Sequence, residues 1–373
     1  MSNIQSSVPA TLLLLRDRID CIDTQIQALI NERAQCSQKV AAVKLAEQGD
    51  EKVVFYRPER EAQVLRRVMD RNEGPLGNEE MAKIFRQVMS SCLAFEKPMR
   101  IAFLGPEGTL TKQAALKHFG QSIVSAPMTT IGEVFREVES GAANYGVMSV
   151  EHSTEGVVDH TLDSFCDSRL KICGEVEVRL HHHFLVSPHV NADKVTHIYS
   201  HQQSLAQCRA WLYRYWPHAE RVAVSSNSEA ARLVAEAGKN GRAVAAISSE
   251  MACELYGLIT VSSNIEDRPN HTTRFLILGN QTIPASGKDK TSLLIRAKNE
   301  PGTLYRLLKA FERHGVDITR LETRPSLLNR WSHIFYIDFV GHHEDEGCQA
   351  VIAALRERAS DVKVLGSYPV AML

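Results

Sequence analysis

Between Leu12 and Val43 the apolar residues recur every three and four positions. On a heptad, Leu12, Ile19, Ile26, Arg33 and Val40 take the a positions, and Leu15, Ile22, Leu29, Cys36 and Val43 take the d positions. No Gly or Pro interrupts the run, which predicts one helix of roughly 50 Å at about 1.5 Å per residue. A stripe of that length outgrows a small module, so the pattern predicts an intertwined pairing with a second copy. Two more helical stretches follow. RPEREAQVLRRVM carries Pro58 in its first turn. NEEMAKIFRQVMSSCLAFE carries Met81, Ile84, Phe85, Val88, Met89 and Cys92 at helical spacing, with Glu96 on the next step of the stripe.

From residue 100 the period changes. Short β-type runs (MRIAFLG, YGVMSV, HIYS, RVAVSS, AVAAIS, TRFLILG) alternate with helical runs such as LAQCRAWLYRY and SEAARLVAEAG. This is α/β organisation, in which functional loops lie beyond the carboxyl ends of strands. A polar linker, NQTIPASGKDK, leads into a last segment that reads β-α-β-β-α-β, the ferredoxin-like order.

Charge changes the picture of the first segment. Arg33 stands in the apolar seam, where a cation wants an anionic partner. Lys44 lies eleven residues on, close to three turns, and shares that face. Arg16 lies about 100° around the axis from Arg33, so in a paired-helix dimer it reaches the partner's site. A carboxyl such as Glu96 on an apolar face has its pKa raised. Globally, 43 Lys+Arg against 44 Asp+Glu leaves no field to attract nucleic acid. Four leucines near the N-terminus are too few for a signal sequence or a membrane span. Eight scattered cysteines without a C-x-x-C read as reduced thiols in a cytoplasmic protein.

In the α/β segment, GPEGT (105–109), EHSTEG (151–156), SHQQS (200–204) and NHTTR (270–274) offer hydroxyls, amides, imidazoles and helix-start N–H groups, which bind carboxylates. Neither G-x-G-x-x-G nor a P-loop is present, so nucleotide binding has no support. His152 and Ser153 are adjacent and point apart, and no G-x-S-x-G elbow exists, which disfavours a hydrolase triad. Ser153 or Thr154 is expected to cap a helix over EGVVDHTLDSF. The triple His181-His182-His183 reads as structural, because successive strand residues alternate faces and no acidic or Cys partner keeps ligand spacing.

Arg16, Arg33, Lys44, RPERE and Glu96 together resemble the all-helical chorismate mutases. The resemblance implies Arg16, Arg33, Lys44, Arg57, Arg60, Glu61, Cys92 and Glu96 around chorismate. Lys44 and a protonated Glu96 would face the breaking ether oxygen, and Glu61 the hydroxyl. Some members carry Asp at the place of Arg57 and Gln at that of Glu96. GPEGTLT, VEHSTEGVV, YSHQQSLAQCR and HTTRFLILG resemble prephenate dehydratase in order and spacing. That implies a two-lobed fold like periplasmic binding proteins, with Thr273 as proton donor. Thr109, His152, Ser153, Thr154, Ser200, Gln203, Gln207, His271 and Arg274 would line or support the cleft. The family usually reads V-P-x-E-N-S and N-x-T-R-F, whereas here Ser149 replaces a proline and His152 and His271 replace asparagines. PGTL (301–304) and ETRP (322–325) resemble the effector motifs of ACT domains, implying Gly302, Thr303, Leu304, Glu322, Arg324 and Pro325 around phenylalanine.

The expected architecture is thus multidomain: an all-α mutase module (8–97), an α/β two-lobed dehydratase domain (99–279), a linker (280–290) and an α+β ferredoxin-like ACT domain (291–373). Chorismate and prephenate are the implied substrates and phenylalanine the implied effector. A homodimer or higher oligomer, no cofactor and no metal are expected. Two readings stay open: both activities under phenylalanine control, or a mutase fused to a cleft that binds without turnover. Prephenate and arogenate, which differ by an amino group, are not separated by sequence.

Overall fold

The computed structural model describes residues 10–48, 54, 56–153, 156–269, 271–298, 300–325 and 333–372. The heptad run forms one helix, α1 (Ala10–Gln48), of 39 residues and about 58 Å. It packs on α3 (Asn78–Glu96), which also carries α2 (Pro58–Asp70). Nearly the whole apolar stripe of α1 lies in the open: Ile19, Ile26, Leu29, Val40 and Val43 are exposed, Leu29 by 64%, while Ala41 is buried.

Of the expected stripe of α3, Cys92 is buried, Met81, Phe85, Val88 and Met89 are half-buried and Ile84 is exposed; Ala82, Arg86 and Ser90 are buried beside it. Arg86 explains the difference, since it donates to Lys117 O (2.9 Å) and pairs with Glu61 (3.1 Å), docking α3 on the next domain. The face that meets the α/β unit is therefore built from small and charged residues, and the apolar face is left for α1 and for solvent.

Two sheets follow. The first contains β1 (Arg100–Leu104), β2 (Val124–Met128), β3 (Tyr145–His152), β4 (Gly156–Val157) and β5 (Lys171–Arg179). The second contains β6 (His183–Val186), β7 (His197–His201), β8 (Glu220–Val224), β9 (Val244–Ser248) and β10 (Ile259–Ser262). The chain then returns to the first sheet as β11 (Thr272–Gly279), giving the orders β2-β1-β3-β11-β5 and β10-β6-β9-β7-β8. Each sheet is the centre of one lobe, with apolar clusters on both faces. The helix expected over 155–165 is shorter, Asp159–Ser164, and has no side-chain cap; its N-cap position is Val158. Ser153 does not cap it, because its hydroxyl accepts from Thr272 N (3.0 Å). Thr154 lies outside the described residues.

The last domain has the expected order: β12 (Asp289–Ala297), the helix Thr303–Arg313, β13 (Ile318–Pro325), β14 (His333–Val340), the helix Glu346–Arg356 and β15 (Asp361–Pro369), in the sheet order β13-β14-β12-β15. Its helices cover one face. The other face shares a core with the first lobe: Leu294, Ile334, Tyr336, Leu365 and Tyr368 pack with Met148, Leu162, Phe165 and Leu276. At the closest approach, a Cβ on Gly366 would stand 2.2 Å from Ile172 O of β5. Backbone meets backbone there, so neither side can yield by changing a rotamer. Gly366→Ala is expected to destabilise the chain by at least about 2 kcal/mol through overpacking, read by urea unfolding.

Candidate functional site

The cleft between the lobes has a volume of about 240 Å³ and is lined from both sides. Leu104, Thr109, Ser149, His152, Thr273 and Phe275 come from the first lobe. His182, Gln203, Ser204, Gln207, Asn227 and Ser249 are among those from the second. The lobes touch across it: Ser249 Oγ donates to Gly108 O (3.2 Å), and Ser228 Oγ donates to Glu107 O.

Thr273 and His152 are cross-strand partners in the β11–β3 register. Their side chains meet in the cleft, with Thr273 Oγ1 2.9 Å from His152 Nδ1. Thr273 is 3% exposed. The next residue points the opposite way, as pleating requires. Arg274 donates from Nε to Glu175 (2.8 Å), from Nη1 to Asp338 (2.7 Å) and from Nη2 to Tyr368 Oη (3.0 Å). Its cross-strand partner Glu151 lies 3.8 Å from Nη1 and receives Arg320 Nε at 3.2 Å. Arg274 is therefore not part of the cleft wall. It joins the cleft strand to the last domain.

Thr109, His152, Gln203, Gln207 and Thr273 line the cleft as expected. Ser200 does not; it is fully buried, its hydroxyl 2.9 Å from Asn227 Oδ1 and 2.8 Å from Ile247 O. Asn227 also accepts from His201 N (3.0 Å) and donates to Ser204 Oγ (2.8 Å), so it fixes the SHQQS loop. His271 is buried beside the cleft strand, and neither ring nitrogen has a hydrogen-bond partner among the described residues. Ser153, expected in the cleft, is exposed and lies outside its lining, its hydroxyl accepting from Thr272 N because the turn after β3 carries it off the cleft face. Of the three histidines, His181 pairs with Glu266 (3.1 Å) and His182 with Gln207 (2.8 Å). Burial holds His182 below the usual imidazole range and His183 likewise.

Sequence reasoning missed Ser226, Asn227 and Ser249. The signal was present: RVAVSSN and AAISSE both run a strand into a pair of serines and then a helix. Ser226 and Ser249 cap the helices Asn227–Lys239 and Glu250–Tyr256. Thr109 caps Leu110–Phe119 in the same way.

In the helical module Glu96 lies near Lys44, Ser37 and Arg33 of the same chain. Burial pushes its carboxyl above the usual range, against the pull of Lys44, the Ser37 hydrogen bond and Arg33. Arg33 Nη1 is buried without a hydrogen-bond partner among the described residues, and Cys92 is buried. Arg16, Arg57 and Arg60 are exposed. Arg16 is 17 residues from Arg33, about 25 Å along the helix, too far to share a small-molecule site with it in one chain. Glu61 turns away from this group toward Arg86.

In the last domain Gly302 (φ +78°), Thr303 and Leu304 line a cavity of about 310 Å³ with Tyr305, Thr323 and His333. Glu322 and Arg324 flank Thr323 and by the pleat face the other side of β13. There Arg324 donates to Asp163 (3.0 Å). Pro325 ends the described part of that strand.

Three family models match in order: chorismate mutase type II over residues 15–97, prephenate dehydratase over 101–283 and the ACT domain over 291–357. A bifunctional chorismate mutase/prephenate dehydratase of Stutzerimonas stutzeri is 54% identical over 363 residues, covering 97% of this chain and 98% of that one. The chain belongs to the bifunctional chorismate mutase/prephenate dehydratases. It is an enzyme with isomerase and lyase domains followed by an ACT domain. Among solved structures, the prephenate dehydratase of Arthrobacter aurescens in complex with L-Phe superposes with a TM-score of 0.67 at 29% identity, covering 72% of this chain and 89% of that one. GqqA, described as a quorum quenching acylase, superposes at 0.66 and 29% identity over 73% and 98%.

Because Arg274 neutralises buried carboxylates, its removal strands them. Arg274→Ala is expected to lower stability by about 3 kcal/mol in urea unfolding and to leave the KM for prephenate within twofold. A substrate anchor would show the reverse pattern.

Proposed function

We propose that this enzyme rearranges chorismate to prephenate in the helical module and converts prephenate to phenylpyruvate in the cleft, under inhibition by phenylalanine at the last domain. The division at 8–97, 99–279 and 291–373 with a linker at 280–290 follows this reading. The contact of Thr273 with His152 inside a two-lobed cleft carries the dehydratase part. The described lining includes neither Lys nor Arg. The carboxylates of prephenate are then held by amides, hydroxyls and the N-terminal ends of the helices Leu110–Phe119 and Asn227–Lys239. Thr273 gives its proton to the leaving hydroxyl while CO2 departs.

The mutase reaction is pericyclic, so orientation and hydrogen bonds to the ether oxygen are what the protein supplies. Lys44 and Glu96 meet that need, with Arg33 beside them for a carboxylate. Arg16 reaches such a site only from a second copy, and the exposed stripe of α1 supports the intertwined dimer that would bring it there. Arg57, Arg60 and Glu61 remain candidates for the far side of that site, although Glu61 is engaged by Arg86 in this chain. Eight unpaired cysteines agree with a cytoplasmic setting.

Feedback is supported by β13, which lines the effector cavity with Thr323 and grips the dehydratase domain with Arg320 and Arg324 from its other side. Chorismate supplied to the full chain is expected to yield phenylpyruvate, and phenylalanine to suppress that step. Accumulation of prephenate alone would favour the binding-only cleft. Glu96 donates only when protonated, so mutase kcat is expected to fall as pH rises through its raised pKa. Glu96→Gln should flatten that limb; an unchanged profile would remove Glu96 from the ether oxygen.

A further inference from the structure

We propose that Ser228 and Ser249 are positioning residues of the dehydratase cleft. Reaching from the second lobe, they hold the backbone of GPEGT and so fix the spacing of the two helix starts that take the substrate's carboxylates; this rests on the dehydratase reading above. Ser249 Oγ donates to Gly108 O (3.2 Å), and Ser228 Oγ donates to Glu107 O. Ser228 is buried, and its hydroxyl also lies 3.3 Å from Tyr256 Oη. The ends of GPEGT are tied to their own lobe, by Gly105 N to Met128 O (2.8 Å) and by Thr109 Oγ1 to Leu104 O (3.3 Å). The Glu107 side chain turns back toward Lys112 (3.5 Å). The carbonyls between those ties cross to the other lobe.

Gly108 shows how close the lobes stand. Its φ of +79° lies in the left-handed region, and a Cβ there would meet Ser228 Oγ at 2.9 Å, Leu255 Cδ2 at 3.2 Å and Ala252 Cα at 3.5 Å. All three belong to second-lobe helices, Asn227–Lys239 and Glu250–Tyr256. The second glycine of the motif thus serves a contact between lobes. The chain itself passes between the lobes after β5 and returns after β10, and the two passages meet where Leu180 N donates to His271 O (2.7 Å). Paired passages of this kind form a hinge about which lobes swing. The two serines add a further attachment that stops the swing.

Ser228 is the second residue of its helix, and Glu107 and Gly108 directly precede Thr109, the cap of Leu110–Phe119. Tying one to the other sets the distance between the two helix N-termini. A cleft held at that distance takes a dicarboxylate without spending binding energy on closure. Without the tie, the molecules whose lobes stand at that distance are a fraction of the whole, and apparent affinity falls by that fraction. The bound complex is the same in both cases, so kcat is kept. The signature of the tie is a raised KM at constant kcat, opposite to that of a group acting on the reacting atoms.

The test is KM and kcat for phenylpyruvate formation from prephenate by the full chain and by Ser228→Ala, Gly108→Ala, Ser249→Ala and Ser249→Thr. Chorismate turnover and the urea midpoint measure intact folding. Ser226 caps the helix that carries Ser228, so Ser228→Ala removes the tie and leaves the cap. Its KM is expected to rise roughly fivefold, the worth of one net hydrogen bond, with kcat within twofold of wild type. Gly108→Ala, which pushes from the first lobe, should raise KM at least as far. Ser249 both caps its helix and donates across the cleft. Ser249→Ala should therefore raise KM and lower the urea midpoint, whereas Ser249→Thr keeps both roles and stays within twofold in KM. A Ser228→Ala chain with KM within twofold of wild type, or with a loss confined to kcat, overturns the tie and leaves the dehydratase reading intact. Should Ser228→Ala not fold, the same criteria applied to Gly108→Ala decide. Wild-type chain that makes prephenate from chorismate but no phenylpyruvate overturns the dehydratase reading itself.

Discussion

Everything in the dehydratase half depends on the pleat of one strand. In β11, Thr273 and Arg274 are adjacent and must face opposite sides of the sheet. One side is the cleft and the other is the joint with the ACT domain, where Glu175, Asp338 and Tyr368 converge on the guanidinium. Glu175 also receives Lys290 (2.8 Å) and Asp338 receives Ser292 (2.5 Å), so the buried charges form a closed group. A strand gripped in this way moves little without moving the joint, and a displaced joint reaches the Thr273 hydroxyl in the cleft through a single peptide unit. Regulation by an effector requires two states that bind it unequally, and a shared strand is a direct place for such states to differ.

On the proposed reading, the cleft binds an anion without fixed cations in its described lining. Helix starts and neutral donors hold carboxylates less tightly than guanidinium would, which suits a site whose product carries one carboxylate fewer.

Much of this was legible beforehand. The heptad predicted α1 because side-chain period and helix period coincide, and the β-α-β-β-α-β order of the last domain follows from short alternating runs separated by turn residues. The orientation of Arg274 was also legible in principle, since TTRF is a strand and alternation alone separates Thr273 from Arg274. Reading the motif as one functional unit hid that. The buried face of α3 was not legible, because Ala82, Arg86 and Ser90 are ordinary surface types until Lys117 O and Glu61 are brought against them. The same holds for Glu322 and Arg324. A motif shows which residues matter together, and the pleat decides which partner each one meets. Ser226 and Ser249 were overlooked because a serine after a strand is as common in a plain turn as at a ligand.

The length of α1 has a genetic meaning. In the dimer proposed above, Arg16 and Lys44, 28 residues apart and about 42 Å on one rod, serve different sites. Two alleles, one damaged at each position, each encode a mutase with no complete site. In a mixed dimer one site receives Lys44 from the first product and Arg16 from the second, and is whole. Lesions along this helix would therefore complement one another between alleles, whereas Thr273 and His152 come from one chain and lesions at the two would not.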